Sequence, residues 1–418
     1  MQPISSIKVE NFLSLRDVEV RLDPLNVLVG PNGAGKTNLL KVFQFLGEVA
    51  RAELAPAIAD MGGLNALFFR GSRTAERSTA RDRRVVKIEL TGVITQHAST
   101  NALDEYKLSF WEARSGSITL KTQPVTRIQM PAMIHRHEEL KFKRTKGQGR
   151  RITLSGGKVS VGVTSGSATP KAEENLKIEG AATGLGTLRR LSTAYGAPQW
   201  NSFAEVVEQL RLFEIDVEKA RRPGQMDSPS ILRPDASNLS SFLLWLREEE
   251  PDAFDSICDD VRFVLPSFKE FVFSPVGGSD EAVRVDIKEH HLSGTTPLAR
   301  ASFGTIRAIA LFAMLHDPAP PRLTCLEEVD HGLHPHALDR LVERLREASE
   351  RTQIILATHS PALVNRLNNN EIIVVEREED TGGSRVFRPS VSDIELLQLE
   401  TGYQLGELWF SGALGGGL

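Results

Sequence analysis

Polar and apolar residues alternate through "ISSIKVENFLSLRDVEVRL", residues 4–22, a pattern that predicts two strands joined near Asn11–Ser14. Leu25–Val29 is a short run of mostly apolar residues, which predicts a third strand. Beyond it Leu39, Phe43, Leu46 and Ala50 fall at helical spacing, so a helix is expected over Asn38–Ala50. Alternation returns in "RVVKIELTGVIT", "EYKLSFWEA", "GSITLK" and "TRIQMPAMIHRHEELKFKR", which read as an antiparallel meander with polar turns.

The pattern changes from about Thr164. "TGLGTLRRLSTAYG", "NSFAEVVEQLRLFEI" and "NLSSFLLWLREEE" have helical spacing, and the Pro-rich stretch "ARRPGQMDSPSILRPD" reads as a loop between them. "AFDSICDDVRFVL" adds a short helix before "KEFVFSP" and "AVRVDIKEH" return to strands. The last third alternates helix and parallel-type strand in "FGTIRAIALFAMLHD", "RLTCLEE", "HALDRLVERLREASE" and "TQIILATH". Short, mostly apolar strands of this kind suit a sheet buried on both faces. A hairpin, "EIIVVERE" and "SRVFRP", turns at "DTGG", and an amphipathic tail helix is expected from near Asp393.

These elements predict an α/β phosphate-loop fold with a mixed, largely parallel sheet, an antiparallel β meander and an inserted helical region. The expected divisions are 1–165 for a first lobe with the phosphate loop and meander, 166–261 for the helical insertion, and 262–418 for a second lobe.

The stretch "VLVGPNGAGKTNLL" carries the clearest chemistry. Gly30, Pro31, Asn32, Gly33, Ala34, Gly35, Lys36 and Thr37 spell G-x-x-x-x-G-K-[ST], with Asn38 next, between a predicted strand and a predicted helix. Glycines let successive N–H groups turn inward at a helix N-terminus, which makes a polyanion nest. In that arrangement Lys36 reaches the β- and γ-phosphates of ATP, and the Thr37 hydroxyl ligates Mg²⁺. The metal and the attacking water need acidic partners. "LTCLEEVDHGLHPH" supplies Glu327 and Glu328 at the C-terminal end of an apolar strand. By position Glu327 would hold Mg²⁺ through water, and Glu328 would orient and deprotonate the nucleophilic water. His359 ends the strand "TQIILATH" and could donate a ring N–H to the terminal phosphate. Ser302 and Gly304 open the helix at "ASFGT", where Ser302 suits an N-cap or a second anion site.

The order of these pieces, with "VENFLSLRDVEV", "SFGTIRAIALFAML", "ATHSPALV" and "LGELWFSGALGG", resembles the ABC-type ATPases of the clade containing RecF, the SMC proteins and the OLD-family ATPases. Within it the chain is most similar to compact bacterial ATPases usually labelled AAA-family. The resemblance implies two heads closing on two ATP molecules, each held by one head's phosphate loop and the other's signature helix. Ser302, Gly304 and Arg307 would then touch a nucleotide bound to the partner, in a homodimer or higher oligomer. It also implies a switch role, with hydrolysis at Glu328 reopening the pair to control a separate effector, such as a nuclease in antiphage defence. The alternatives are a repair or recombination ATPase that holds DNA directly, or a nucleotide-binding scaffold with little turnover. Three positions depart from the family pattern: Glu327 replaces Asp, Val329 replaces Pro, and Asp330 stands where Glu or Asn is usual. Gln96 falls in the region of the Q-loop without being assigned to it. The roughly sixty residues after His359 have room for the hairpin and tail helix, so a nuclease domain in the same chain is not expected.

The net charge of −4 over 418 residues neither favours nor excludes nucleic acid, so any DNA contact needs a local patch. Arg136, Lys141, Lys143, Arg144, Lys146, Arg150 and Arg151 are concentrated in one run, and "RGSRTAERSTARDRR" is also Arg-rich; both could meet phosphates without reading sequence. His331, His334 and His336 resemble a metal cluster, but the "GLHP" loop context accounts for two of them. Cys258 and Cys325 form neither a disulfide framework nor a zinc spacing. No apolar run is long enough to span a bilayer, so a reduced, cytoplasmic setting is expected.

Overall fold

Five short runs lie side by side and parallel at the centre of the molecule, in the order Leu210–Phe213, Leu323–Glu327, Gln353–Thr358, Leu25–Val29 and Ile372–Arg377. Ser384–Phe387 completes the sheet antiparallel to Ile372–Arg377. A computed structural model supplies these coordinates and describes residues 3–71, 85–96, 98–112, 117–120, 126–129, 134–146, 149–155, 158–163, 172–174, 183–187, 197–226, 230–276 and 279–415.

Strand alternation explains why both faces of this sheet are covered. Leu28, Cys325, Ile355, Ala357 and Ile373 join one core, which holds the buried side of helix Lys36–Ala52. Val27, Val29, Leu326, Ile354, Leu356 and Val374 join a second core with helices Phe303–Leu315 and Pro335–Ser349. From Ile306 onward helix Phe303–Leu315 is buried all round, as its nearly continuous apolar sequence requires.

Above the first core lies an eight-stranded antiparallel sheet. Its order is Ala172–Glu174, Lys158–Val163, Arg150–Ser155, Ile134–Phe142, Asp104–Glu112, Val85–Gly92, Ile4–Phe12 and Leu15–Arg21. Phe12 and Phe110 from this sheet each pack against Phe45 of helix Lys36–Ala52, with ring centroids 5.6 Å apart. Gln353 fastens the two sheets, donating to Ile4 O at 2.8 Å and accepting from Ile4 N at 3.2 Å. A smaller antiparallel sheet, built mainly from Phe268–Val276 and Ser279–Glu289, packs against helices Leu239–Glu249 and Pro251–Val264.

Several expectations change. The helix expected through "NSFAEVVEQLRLFEI" ends at Glu208, and Leu210–Phe213 becomes a core strand. Its apolar side chains pair in parallel register with Leu323–Leu326, and that pairing overrides the helical reading. The stretch 166–261, expected as a helical insertion, therefore contributes to the central sheet. The run from Thr126 to Arg144 forms two strands, Thr126–Gln129 and Ile134–Phe142. In "TGLGTLRRLSTAYG" only Gly184–Thr187 is described as helix, and residues 188–196 lie outside the described residues. The tail helix spans Val391–Thr401 but is not cleanly amphipathic: Ile394 is buried, whereas Leu396 and Leu399 face solvent.

Candidate active site

The register of the central sheet aligns three strand ends. Glu327 pairs with Ala357, Ala357 with Leu28, and Thr358 with Val29, so everything following these strands opens onto one edge. The phosphate loop, the Glu pair and His359 meet there although they come from opposite ends of the chain. One cleft is lined by Asn32, Gly33, Gly35, Lys36, Thr37, Asn38, Glu327, Glu328, Ala357, Thr358 and His359.

Packing explains the glycines of the loop. A Cβ on Gly30 would overlap the Val375 carbonyl oxygen. Gly35 has φ +111°, and a Cβ there would strike the hydroxyls of Ser384 and Ser14. Gly33 also has positive φ, +80°, at the open tip of the loop. Lys36 Nζ donates to Gly30 O at 2.6 Å and Pro31 O at 3.0 Å, placing its ammonium inside the curve of the loop. Burial lowers the Lys36 pKa, while Glu328 and Glu327 oppose that shift by favouring the charged form.

A brace that the linear motif does not reveal surrounds the loop. Ser384 Oγ donates to Ala34 O at 2.6 Å and lies 2.7 Å from Ser14 Oγ, which accepts from Asn38 Nδ2 at 2.7 Å. Ser384 N also donates to Ser14 O at 2.8 Å. The turn between the first two strands and the C-terminal hairpin thus clamp the loop from two sides. Arg377 of that hairpin donates to Gly33 O at 3.3 Å. Of the expected phosphate contacts, Asn38 is therefore also a structural link, and Asn38 and Arg377 border a second depression with Leu13, Phe69 and Arg70. Nothing in the sequence singled out Ser14, Ser384 or Arg377.

Opposite the loop, Glu327 is half-buried at the end of its strand. Burial pushes its carboxyl pKa up, and nearby Glu214 and Glu328 add to the shift; the Thr37 hydroxyl and Lys41 oppose it. Glu327 Oε1 is buried without a hydrogen-bond partner. A carboxylate oxygen without a partner beside a threonine hydroxyl is a hard-oxygen donor set suited to a divalent cation such as Mg²⁺. The residues therefore fit the group.

Glu328 is exposed to the cleft and sits at φ +48°, a left-handed conformation uncommon for a side-chain-bearing residue. Its N–H donates to Ala357 O at 3.0 Å, and its carbonyl accepts from His331 N at 3.0 Å. That turn directs the carboxylate off the strand and into the cleft. Val329, in place of the family's proline, is fully buried in the second core. Asp330 accepts from Thr358 Oγ1 at 2.8 Å, which ties the loop after the Glu pair to the end of the strand that His359 follows. His359 itself is exposed at the cleft rim.

Ser302 caps helix Phe303–Leu315, its Oγ accepting from Thr305 N at 3.1 Å. It is exposed, and neither Ser302 nor Gly304 lines the cleft of its own chain. Gly304 has a packing role, since a Cβ there would overlap the Gly332 carbonyl oxygen. Arg307 lies where the sequence reading did not expect it. It is buried and donates to Glu328 O at 2.7 Å, Glu327 O at 3.2 Å and Ile215 O at 3.5 Å. One helical turn past the exposed Ser302 the guanidinium points inward, where it braces these carbonyls within its own chain.

The remaining candidates separate. Arg136 is buried in the meander against Glu138 at 3.3 Å and cannot reach a phosphate, which corrects its place in the basic patch. Lys141, Lys143 and Arg151 are paired with Glu105 or Glu139, whereas Arg144, Lys146 and Arg150 are exposed. Residues 72–84 of the other Arg-rich run lie outside the described residues. His331 packs on Phe303, His336 stacks on Phe263 at 4.4 Å, and His334 caps its helix, so the three rings do not converge. Among the described residues no His, Cys, Asp and Glu cluster forms a metal-binding group of three or more. Gln96 lines a different depression, with Lys143, Arg144 and Gln199. No helix among the described residues is long and apolar enough to cross a membrane.

Comparisons with known proteins bear on the fold and the domain types. A family model described as "AAA ATPase domain" matches residues 3–104, and one described as "AAA domain, putative AbiEii toxin, Type IV TA system" matches residues 189–365. A stretch of 47 residues is 45% identical to the OLD nuclease of Thermus scotoductus (strain ATCC 700910 / SA-01); it covers 11% of this chain and only 9% of that protein. An Smc head bound to the C-winged helix domain of ScpA superposes with a TM-score of 0.54 at 12% identity, covering 95% of this chain and 99% of that one. An Smc head with an extended coiled coil, bound to the C-terminal domain of ScpA derived from Pyrococcus furiosus, superposes with a TM-score of 0.52 at 12% identity, covering 96% and 100%. The fold is that of an SMC head.

Proposed function

We propose that this chain, an ATPase of the RecF/SMC/OLD type with AAA-family ATPase domains, hydrolyses ATP and uses the nucleotide to close two copies of itself head to head. The observation that carries this reading is the single cleft in which Lys36, Thr37, Glu327, Glu328 and His359 converge from distant parts of the chain. Lys36 and the loop N–H groups hold the triphosphate. Thr37 and Glu327 would hold Mg²⁺, which would supply positive charge to offset the charge on the phosphates. Glu328, aimed by its left-handed backbone, takes a proton from the attacking water, and His359 donates to the terminal phosphate. A depression that shares Asn38 with the cleft, lined by Leu13, Phe69 and Arg377, would receive the base and ribose.

Closure of two heads is supported by exposed Ser302 at the start of helix Phe303–Leu315, because it is a helix terminus that its own nucleotide cleft does not use. ATP then favours the closed pair, and loss of the γ-phosphate reopens it. The same reading makes the chain a switch for a separate effector, with a nuclease in antiphage defence the favoured role. The matched family, described as a putative AbiEii toxin, and the OLD nuclease match support that direction. A DNA-repair role would instead rely on Arg144, Lys146 and Arg150, since Arg136 is buried.

Phosphate release and nucleotide binding test the enzymatic part. The wild-type chain is expected to release phosphate from ATP in the presence of Mg²⁺, and Lys36→Ala to lose nucleotide binding. Unchanged ATP affinity in Lys36→Ala would contradict the assignment of the cleft.

A further inference from the structure

Large apolar side chains that face solvent gather near the C-terminal helices. Leu399 is 85% exposed, Leu396 55% and Tyr403 50%, all within helix Val391–Thr401 or the turn that follows it. Successive helical residues rotate by about 100°, which puts Leu396 and Leu399 on one face, opposite buried Ile394. Gln398 marks the inner side too, accepting from Asn369 Nδ2 at 3.2 Å. The two leucines therefore form a seam that the molecule's own packing leaves open.

The charge around this seam has one sign. By the same rotation Glu395 flanks it on one side, and Asp393 and Glu400 flank it on the other. Residues 391–418 contain no Lys, Arg or His. Arginines on neighbouring segments are already engaged, Arg366 with Asp339 and Arg388 with Asp23. A second copy docking the same face across a two-fold axis would set carboxylates against carboxylates. An anionic membrane surface would be repelled as well.

From this seam and its acidic borders we infer a docking surface for a cationic amphipathic helix of another polypeptide. Leucine or aromatic residues at i, i+3, i+4 and i+7 would pack on Leu396 and Leu399. Lysine or arginine on the flanks of that helix would face Glu395, Asp393 and Glu400. The inference is independent of the nucleotide cleft, because none of these residues lines it.

The probe is a fluorescein-labelled helical peptide of about eighteen residues, with leucines at that spacing and lysines elsewhere, titrated with the full chain and followed by anisotropy. Two control peptides carry glutamate in place of lysine, or the same lysines and leucines in scrambled order. The lysine peptide is expected to bind at least about tenfold more tightly than either control, and more weakly as salt rises. Leu396→Glu/Leu399→Glu should remove that preference without moving the melting temperature, because both side chains are exposed. Glu395→Lys/Glu400→Lys should shift the preference to the glutamate peptide. Equal binding of the scrambled peptide, or unchanged binding by Leu396→Glu/Leu399→Glu, would overturn the proposal. No peptide binding would also overturn it; self-association abolished by Leu399→Glu would then identify a second copy as the occupant.

Discussion

Arg307 Nη2 lies 2.7 Å from the carbonyl oxygen of Glu328, so the helix that presents Ser302 and the turn that presents the proposed base are fastened together inside one chain. Glu328 holds a left-handed backbone conformation, which needs such support to persist. Burial lowers the Arg307 pKa, with Glu328 and Asp330 opposing, and its guanidinium donates to three carbonyls.

Removing that brace should disturb turnover more than binding. Arg307→Ala is expected to lose about 1.5–3 kcal/mol of stability, the usual size for a hydrogen bond to a charged group. ATP affinity should stay within a few-fold of wild type, because Arg307 does not line the cleft. Phosphate release should fall by at least about tenfold as Glu328 loses its direction. Thermal unfolding with single-turnover assays checks this, and a variant with normal turnover would show that the brace is only structural.

Ser384→Ala tests the clamp on the phosphate loop. It deletes the bonds to Ala34 O and Ser14 Oγ, a net loss of about 0.5–1.5 kcal/mol each. ATP should bind several-fold more weakly while Glu328-dependent chemistry is retained once nucleotide is saturating. Isothermal titration beside a kcat measurement separates the two; lower kcat at full occupancy would place Ser384 nearer the chemistry than its contacts indicate.

Glu327 makes a pH-dependent prediction. Its carboxyl is held above the usual range by burial first, then by Glu214 and Glu328. The folded chain thus binds this proton more tightly than the unfolded one does. The stability it contributes is complete below the unfolded pKa and is lost as pH rises through the raised folded value. Metal-free wild type should therefore fall behind Glu327→Gln in melting temperature as pH climbs from the carboxylate range toward neutrality. Adding Mg²⁺ and ATP should reverse the order, because the variant lacks the anionic ligand. Parallel melting curves for the two proteins across that range would contradict the assignment.

The legible part of this protein is the part written in short linear stretches. Lys36 and Thr37 follow an apolar strand, Glu327 ends another and His359 follows a third, so composition and spacing locate them before any fold is known. The parallel sheet was readable for the same reason, since strands buried on both faces are short and apolar. What stayed hidden depends on tertiary proximity. Ser14 and Ser384 meet only because the first turn and the last hairpin flank the same loop, and neither residue type is unusual where it stands. Arg307 lies close in sequence to exposed Ser302, yet it points into the core. Leu210–Phe213 continues a helical pattern and becomes a strand only because Leu323–Leu326 offers it an edge.

Sedimentation velocity of Glu328→Gln, with and without Mg·ATP, tests the shared-nucleotide account most directly. That variant should bind ATP, stop turning over by a factor of about 10²–10⁴, and accumulate as a closed pair that ADP does not support. Adding Ser302→Arg in the same background should abolish the ATP-dependent pair while leaving ATP binding intact. ATP bound at full occupancy with no change in sedimentation, or a pair indifferent to Ser302→Arg, would contradict the claim that two chains complete one site.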